Sequence, residues 1–103
     1  MWFSADLFFF ARRPDGSVEL CEEQVLLVSA SDEDEARRKG EEMGIAKEHG
    51  YTVATGGRLE WKLHRVARVF ELDPDATALQ DGLEVFSRFL RESEVESLLT
   101  PFE

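Results

Sequence analysis

A single cysteine, Cys21, occurs in the chain, so no intramolecular disulfide can staple it, and a reducing compartment is the expectation. Histidine is nearly as scarce. His49 and His64 stand far from each other and from Cys21, without the spacing of zinc ligands, so no metal is expected. Proline occurs only at Pro14, Pro74 and Pro101, which leaves long stretches free to run as uninterrupted strand or helix. Basic residues are outnumbered, 12 against 22 acidic, for a net charge of −10. A chain of that sign lacks the footprint that neutralises phosphates, so neither nucleic acid nor an anionic membrane is an expected partner. No apolar run reaches bilayer length, and no basic-then-apolar secretory signal opens the sequence; the expected location is cytoplasmic. Both nucleotide-binding fingerprints are missing. Gly56-Gly57-Arg58 is too short to cradle a phosphate and reads as a turn. No cofactor is expected.

What is present fits one α+β domain of 103 residues, with eight Phe and two Trp to fill its core. Its organising stretch is residues 58–72, where Leu59, Trp61 and Leu63 alternate with Glu60, Lys62 and His64 at the period of a half-buried strand. Beyond Arg65 that stretch is apolar on both sides: Val66, Phe70 and Leu72 on one, Ala67 and Val69 on the other. Residues 2–11, with Phe3, Ala5, Leu7 and Phe9 on one face and Trp2, Phe8 and Phe10 on the other, predict a first strand. Pro14-Asp15-Gly16 predicts a turn, and residues 18–29 a second strand closing a hairpin. The alternation there slips at Glu22-Glu23, as a bulge or simple exposure of that end would produce.

Ser31, with Asp34 three residues on, resembles a capping box. The acids from Asp32 to Glu35 suit a helix N-terminus, where a cation would be repelled. The helix should bury Ala36, Gly40, Met43 and Ala46 or Lys47 and end near His49-Gly50, with a polar loop over 51–57. After the pivotal strand, a helical turn is expected over 75–80 and a fourth strand over 83–91. A short terminal helix capped by Ser93 and Glu96 would dock through Val95, Leu98, Leu99 and Phe102 and stop at Pro101. The expected fold is therefore a four-stranded, mostly antiparallel sheet in the order ββαββ, with one long helix on one face and a short C-terminal helix.

A sheet with large apolar residues on both faces and one substantial helix leaves a face to be covered. The C-terminal tail, a second copy or another protein are the available covers, and a homodimer is the commonest symmetric solution. The candidate contact residues lie late in the chain. Arg88 sits between Phe86 and Leu90 and calls for a carboxylate partner, for which Glu84 on its own face and Glu71 across the sheet are candidates. Ser87, Phe70 and Trp2 complete the candidate set. No catalytic constellation is recognised; a Cys21–His64 pair would need adjacent strands, and Cys21 is more simply a small hydrophobe.

Both ends of the chain carry a resemblance: Met1-Trp2-Phe3-Ser4-Ala5 at the start, and Asp81-Gly82-Leu83-Glu84-Val85-Phe86-Ser87-Arg88-Phe89-Leu90 near the finish. Between them lie the acidic helix start after Ser31 and Trp61 ahead of Val69-Phe70-Glu71-Leu72. The chain thereby resembles a family of small bacterial proteins catalogued as a domain of unknown function. The resemblance implies a stand-alone bacterial domain and brings no activity; its matching positions are Trp2, Ser4, Trp61, Ser87, Arg88 and Phe89. The reading that follows is a non-enzymatic module that self-associates or binds another protein. The alternatives are an acidic inhibitor or immunity-type protein that binds a basic enzyme, and a small anionic-ligand binder or enzyme using Arg88.

Overall fold

The structure, a computed structural model, describes residues 1–73 and 79–100. Its elements run β1 (Trp2–Arg12), β2 (Val18–Ser29), α1 (Glu33–Ala46), β3 (His49–Thr52), β4 (Arg58–Glu71) and α2 (Glu92–Leu99). All strand pairings are antiparallel, in the spatial order β2-β1-β4-β3. The α+β class, four strands and ββαββ order are those expected, and β4 is one of the two inner strands.

The β1–β2 hairpin closes through Arg13 to Ser17. Gly16 N–H donates to the Arg13 carbonyl at 2.9 Å, and Arg13 N–H to the Ser17 carbonyl at 2.9 Å. Gly16 has φ +87°, the left-handed position that a residue with a Cβ resists. The same turn recurs between β3 and β4, where Gly56 takes φ +91° and Val53 N–H donates to the Gly57 carbonyl at 2.7 Å.

Pairing of β1 with β2 runs without interruption from Trp2 opposite Ser29 to Ala11 opposite Leu20, so the acidic pair Glu22-Glu23 holds no bulge; these residues are simply exposed. The irregularities fall elsewhere. β4 carries an extra residue twice against β1, between Asp6/Leu7 and between Phe8/Phe9, which is how a long strand is bent over a helix.

Further expectations are corrected. Asp32, not Ser31, caps α1, its carboxylate accepting from Glu35 N–H at 2.8 Å. Ser31 instead donates its hydroxyl to Glu35, at 3.1 Å. The buried stripe of α1 is Ala36, Gly40 and Gly44, while Met43 and Ala46 are exposed. Two glycines on that stripe let the helix axis approach Ala5, Leu7, Leu63 and Val66 closely, leaving no room for a longer inward side chain. The helix ends at Ala46, and His49–Thr52, expected as helix end and loop, pairs with β4 as the short edge strand β3.

Residues 83–91, expected as the fourth strand, run extended but pair with no strand of the sheet. The terminal helix begins after Arg91, whose N–H is held at 3.1 Å by the Glu94 side chain, rather than at Ser93. Among the described residues α2 packs against neither α1 nor any strand, and Val95, Leu98 and Leu99 remain exposed. The turn expected over 75–80 falls largely on residues 74–78, and the stop at Pro101 and the Phe102 contact on residues 101–103; both lie outside the described residues.

The core lies on one face of the sheet. Phe3, Ala5, Leu7 and Phe9 of β1, with Val28, Ala30 and Ala36, form a buried cluster, edged by Leu26, Trp61, Leu63, Val66 and Val69. The alternate residues of β1 point to the second face, which α1 does not cover.

Candidate functional site

The second face is set by register. Opposite β1 residues Ser4, Asp6, Phe8 and Phe10 stand Leu27, Val25, Glu23 and Cys21 of β2, and Phe70, Arg68, Arg65 and Lys62 of β4. Residues facing one another across an antiparallel pair share a face. This surface therefore combines aliphatic side chains from β2, aromatic and buried polar ones from β1, and a basic row from β4.

Its two halves differ. Over the half near Ser4 and Phe70 lies the extended segment that follows residue 78. Phe86 meets Phe70 edge-to-face with centroids 6.1 Å apart, and the guanidinium groups of Arg68 and Arg88 lie over the Phe86 ring at 5.8 and 5.9 Å. Beneath the segment, Ser4, Val25, Leu27, Leu72, Leu83 and Val85 line an open apolar pocket of about 400 Å³. Among the described residues the other half, toward the hairpin turn, has no such cover. There His64 stacks on Phe10 at 4.2 Å and Arg12 lies 5.5 Å from the Phe10 centroid.

At the junction of the halves lies the group that the sequence reading passed over. Asp6 is 1 % exposed, and among the described residues neither of its carboxylate oxygens, nor the hydroxyl oxygen of buried Ser4, has a hydrogen-bond partner. Burial pushes Asp6 up to about pH 6 from an ordinary 3.8, the neighbouring Glu23 carboxyl adds to the rise, and Arg68 and Arg88 oppose it. An ionised Glu23 is an acceptor and cannot satisfy an ionised Asp6; the two can bond only when one carries a proton. An aspartate among Leu7, Phe8 and the aromatic run reads in sequence as a surface residue of an alternating strand. On the folded sheet it lies on an inner strand between Val25 and Arg68, with Arg88 close enough to act on it.

The expected site residues are spread around this junction. Arg88 is half-buried and acts on Asp6; among the described residues no ion pair joins it to Glu84 or Glu71. Those two acids line a separate groove of about 430 Å³ with Phe70 and Leu83. Phe86 and Phe70 meet each other, Ser87 is exposed, and Leu90 lines a groove with Arg88, Ser93 and Leu98 where the chain enters α2. Trp2 is about half exposed, while its carbonyl accepts from Leu72 N–H at 2.9 Å. Cys21 and His64 flank Phe10 on strands separated by β1, so they are not adjacent. Among the described residues no group of three or more His, Cys, Asp or Glu is placed to hold a metal ion, and no helix is long and apolar enough to cross a membrane.

Fold and surface together define a small α+β protein built on a four-stranded antiparallel sheet, one face packed on a glycine-striped helix and the other divided between its own tail and solvent. The chain belongs to the family described as Domain of unknown function (DUF4288), whose model matches residues 2–87. No curated protein and no solved structure matches it.

Proposed function

We propose that this protein is a non-enzymatic module that self-associates through the second face of its sheet. The observation that carries the reading is the amount of surface left over. The chain exposes 7442 Å², whereas a compact monomer of its mass exposes about 5,900 Å². The difference is of the order that one partner of a stable complex contributes to an interface, about 800 Å², or more. The radius of gyration points the same way, 16.4 Å against about 13 Å for a compact chain of this length.

Part of the surplus is apolar and lies on the second face. Val18, Val25 and Leu27 of β2, with Trp2, are each more than a third exposed. Beyond them Phe89 is fully exposed, and Val95, Leu98 and Leu99 are exposed on α2. Patches of this kind are uncommon on a monomer and mark association surfaces. Light scattering on the full chain at micromolar concentration tests the reading. A mass of twice the chain, or more, is expected; a single-chain mass at every concentration up to the solubility limit overturns it.

A further inference from the structure

The self-association reading leaves open what seats on the uncovered half of the second face, and the chain carries a fitting occupant. Helix α2 presents Val95, Leu98 and Leu99 at the i, i+3, i+4 spacing of one apolar stripe. Glu92, Glu94 and Glu96 bracket that stripe, and Phe89 stands free just ahead of the helix. The uncovered half offers the reverse. Phe8 and Phe10, each half-buried, form an apolar strip on β1 with Cys21 and Glu23 on its β2 side, and Lys62 and Arg65 run along its β4 side, with Arg12 at its end. Four of the twelve Lys and Arg residues of a strongly acidic chain thus lie on one strand, Arg58 among them. Acidic flanks on the arm and a basic border on the face favour docking and set its register.

Ion pairing among the described residues holds little of either surface. Exposed Lys62 has a long contact to Glu48, 3.9 Å, which is weak at such a site. Helix α2 touches neither α1 nor any strand among the described residues.

We propose, resting on the self-association reading, that the arm formed by Phe89 and α2 docks on the Phe8–Phe10 strip of a second copy of this chain, and that the exchange is reciprocal. Such an arrangement has the two-fold self-complementarity of an isologous dimer. It uses both leftover surfaces at once, and it leaves the tail segment around Phe86 on its own sheet, where Phe70 and Arg68 hold it.

Charge reversal separates this from its rivals. An arm variant carries Glu92→Lys and Glu96→Lys, sparing Glu94, which holds the helix start; a face variant carries Lys62→Glu and Arg65→Glu. Each is checked for folding by far-ultraviolet circular dichroism and sized alone and in an equimolar mixture. Each alone should dimerise about tenfold or more weakly than the parent chain, and the mixture should recover, since it pairs a reversed arm with a reversed face and a native arm with a native face. Phe89→Ser, which removes a side chain that supports nothing in its own molecule, should weaken the dimer without changing the circular dichroism. If the parent dimerises and the variants do so equally well, arm exchange is overturned while self-association stands. A mixture that recovers nothing when each variant is weakened also overturns it, because the arm then acts within its own chain. A parent that never dimerises overturns both readings.

Discussion

Replacing Asp6 by Asn should make the protein more stable at neutral pH and leave it nearly unchanged in acid. Asp6 is buried, and its carboxyl is raised from 3.8 to about 6, first by burial and then by the Glu23 carboxyl, against the opposing pull of Arg68 and Arg88. Each pKa unit is worth about 1.4 kcal/mol, so the shift of roughly two units corresponds to about 3 kcal/mol. The sign follows from proton counting. Below pH 3.8 the carboxyl is protonated in both states and costs nothing. From there to about pH 6 the folded chain holds the proton that the unfolded chain has released, so stability falls as pH rises. Above about pH 6 the folded state carries the full cost of an ionised, unpartnered carboxylate.

Asn is nearly isosteric, is neutral throughout, and brings an amide that can donate to Glu23. Urea unfolding of both proteins at closely spaced pH values from 4 to 8, at one fixed protein concentration, gives the difference in stability directly. That difference should be small near pH 4 and grow to about 3 kcal/mol in favour of the Asn variant by pH 7.5. Asp15 and Glu35 are shifted down, chiefly by hydrogen bonds from Ser17 and Ser31, so their contribution is present above the ordinary carboxylate range and lost in acid. Both chains share it, and it cancels. A difference that stays flat across the range would mean that the two arginines fully compensate the ionised Asp6, and the account of the junction would be wrong.

Arg68→Gln removes one of the two charges that hold Asp6 down; its carboxyl should titrate at higher pH still, read from the side-chain carbon shift by NMR. Gly44→Ala puts a Cβ 2.9 Å from methyl carbons of both Leu7 and Leu63. The overpacking, about 1–3 kcal/mol, should outweigh the gain in helix propensity of about 1 kcal/mol, so the thermal midpoint should fall. Asp32→Ala removes the side chain that satisfies Glu35 N–H and should cost about 1 kcal/mol in urea unfolding, whereas Ser31→Ala should cost less.

Regular local signals carried most of the fold. Alternation located β1, β2 and β4, and Pro-Asp-Gly located the first turn, because strand period and turn chemistry are written within a few residues. What failed depended on distant partners. Residues 83–91 alternate like a strand, and the four-strand count was reached with them, yet the fourth partner of the sheet is His49–Thr52, too short and too polar to stand out. Alternation reports that a segment has two chemically different sides; it does not report whether the segment lies in the sheet or across it. The stripe of α1 differs from the expected one by one position, Gly44 for Met43, because close approach, and hence smallness rather than hydrophobicity, decides which residue faces inward. Arg88 calls in sequence for a carboxylate close by, Glu84 or Glu71, whereas the carboxyl it is near enough to influence, Asp6, comes from the opposite end of the chain.

Net charge gives the strongest reason to separate a total from its distribution. A chain at −10 suggests a basic partner, the premise of the inhibitor alternative. Yet the surface with apolar side chains to offer is bordered along β4 by Lys62 and Arg65, with Glu23 across it on β2, so the charge along its β4 edge is opposite in sign to the total. At a Debye length near 8 Å in physiological salt, a docking segment responds to the charges beside it and hardly to those on the far side of the helix layer. A basic enzyme approaching this face would meet like charge at the moment of desolvation, whereas an acidic amphipathic helix would not. The chain's own α2 is such a helix, and raising the salt concentration should therefore weaken self-association rather than strengthen it, although the molecules as wholes repel. Sedimentation velocity between 50 and 500 mM salt distinguishes the outcomes. If the dimer tightens steadily with salt, long-range repulsion governs the assembly, and the local pairing of arm and face is the wrong description.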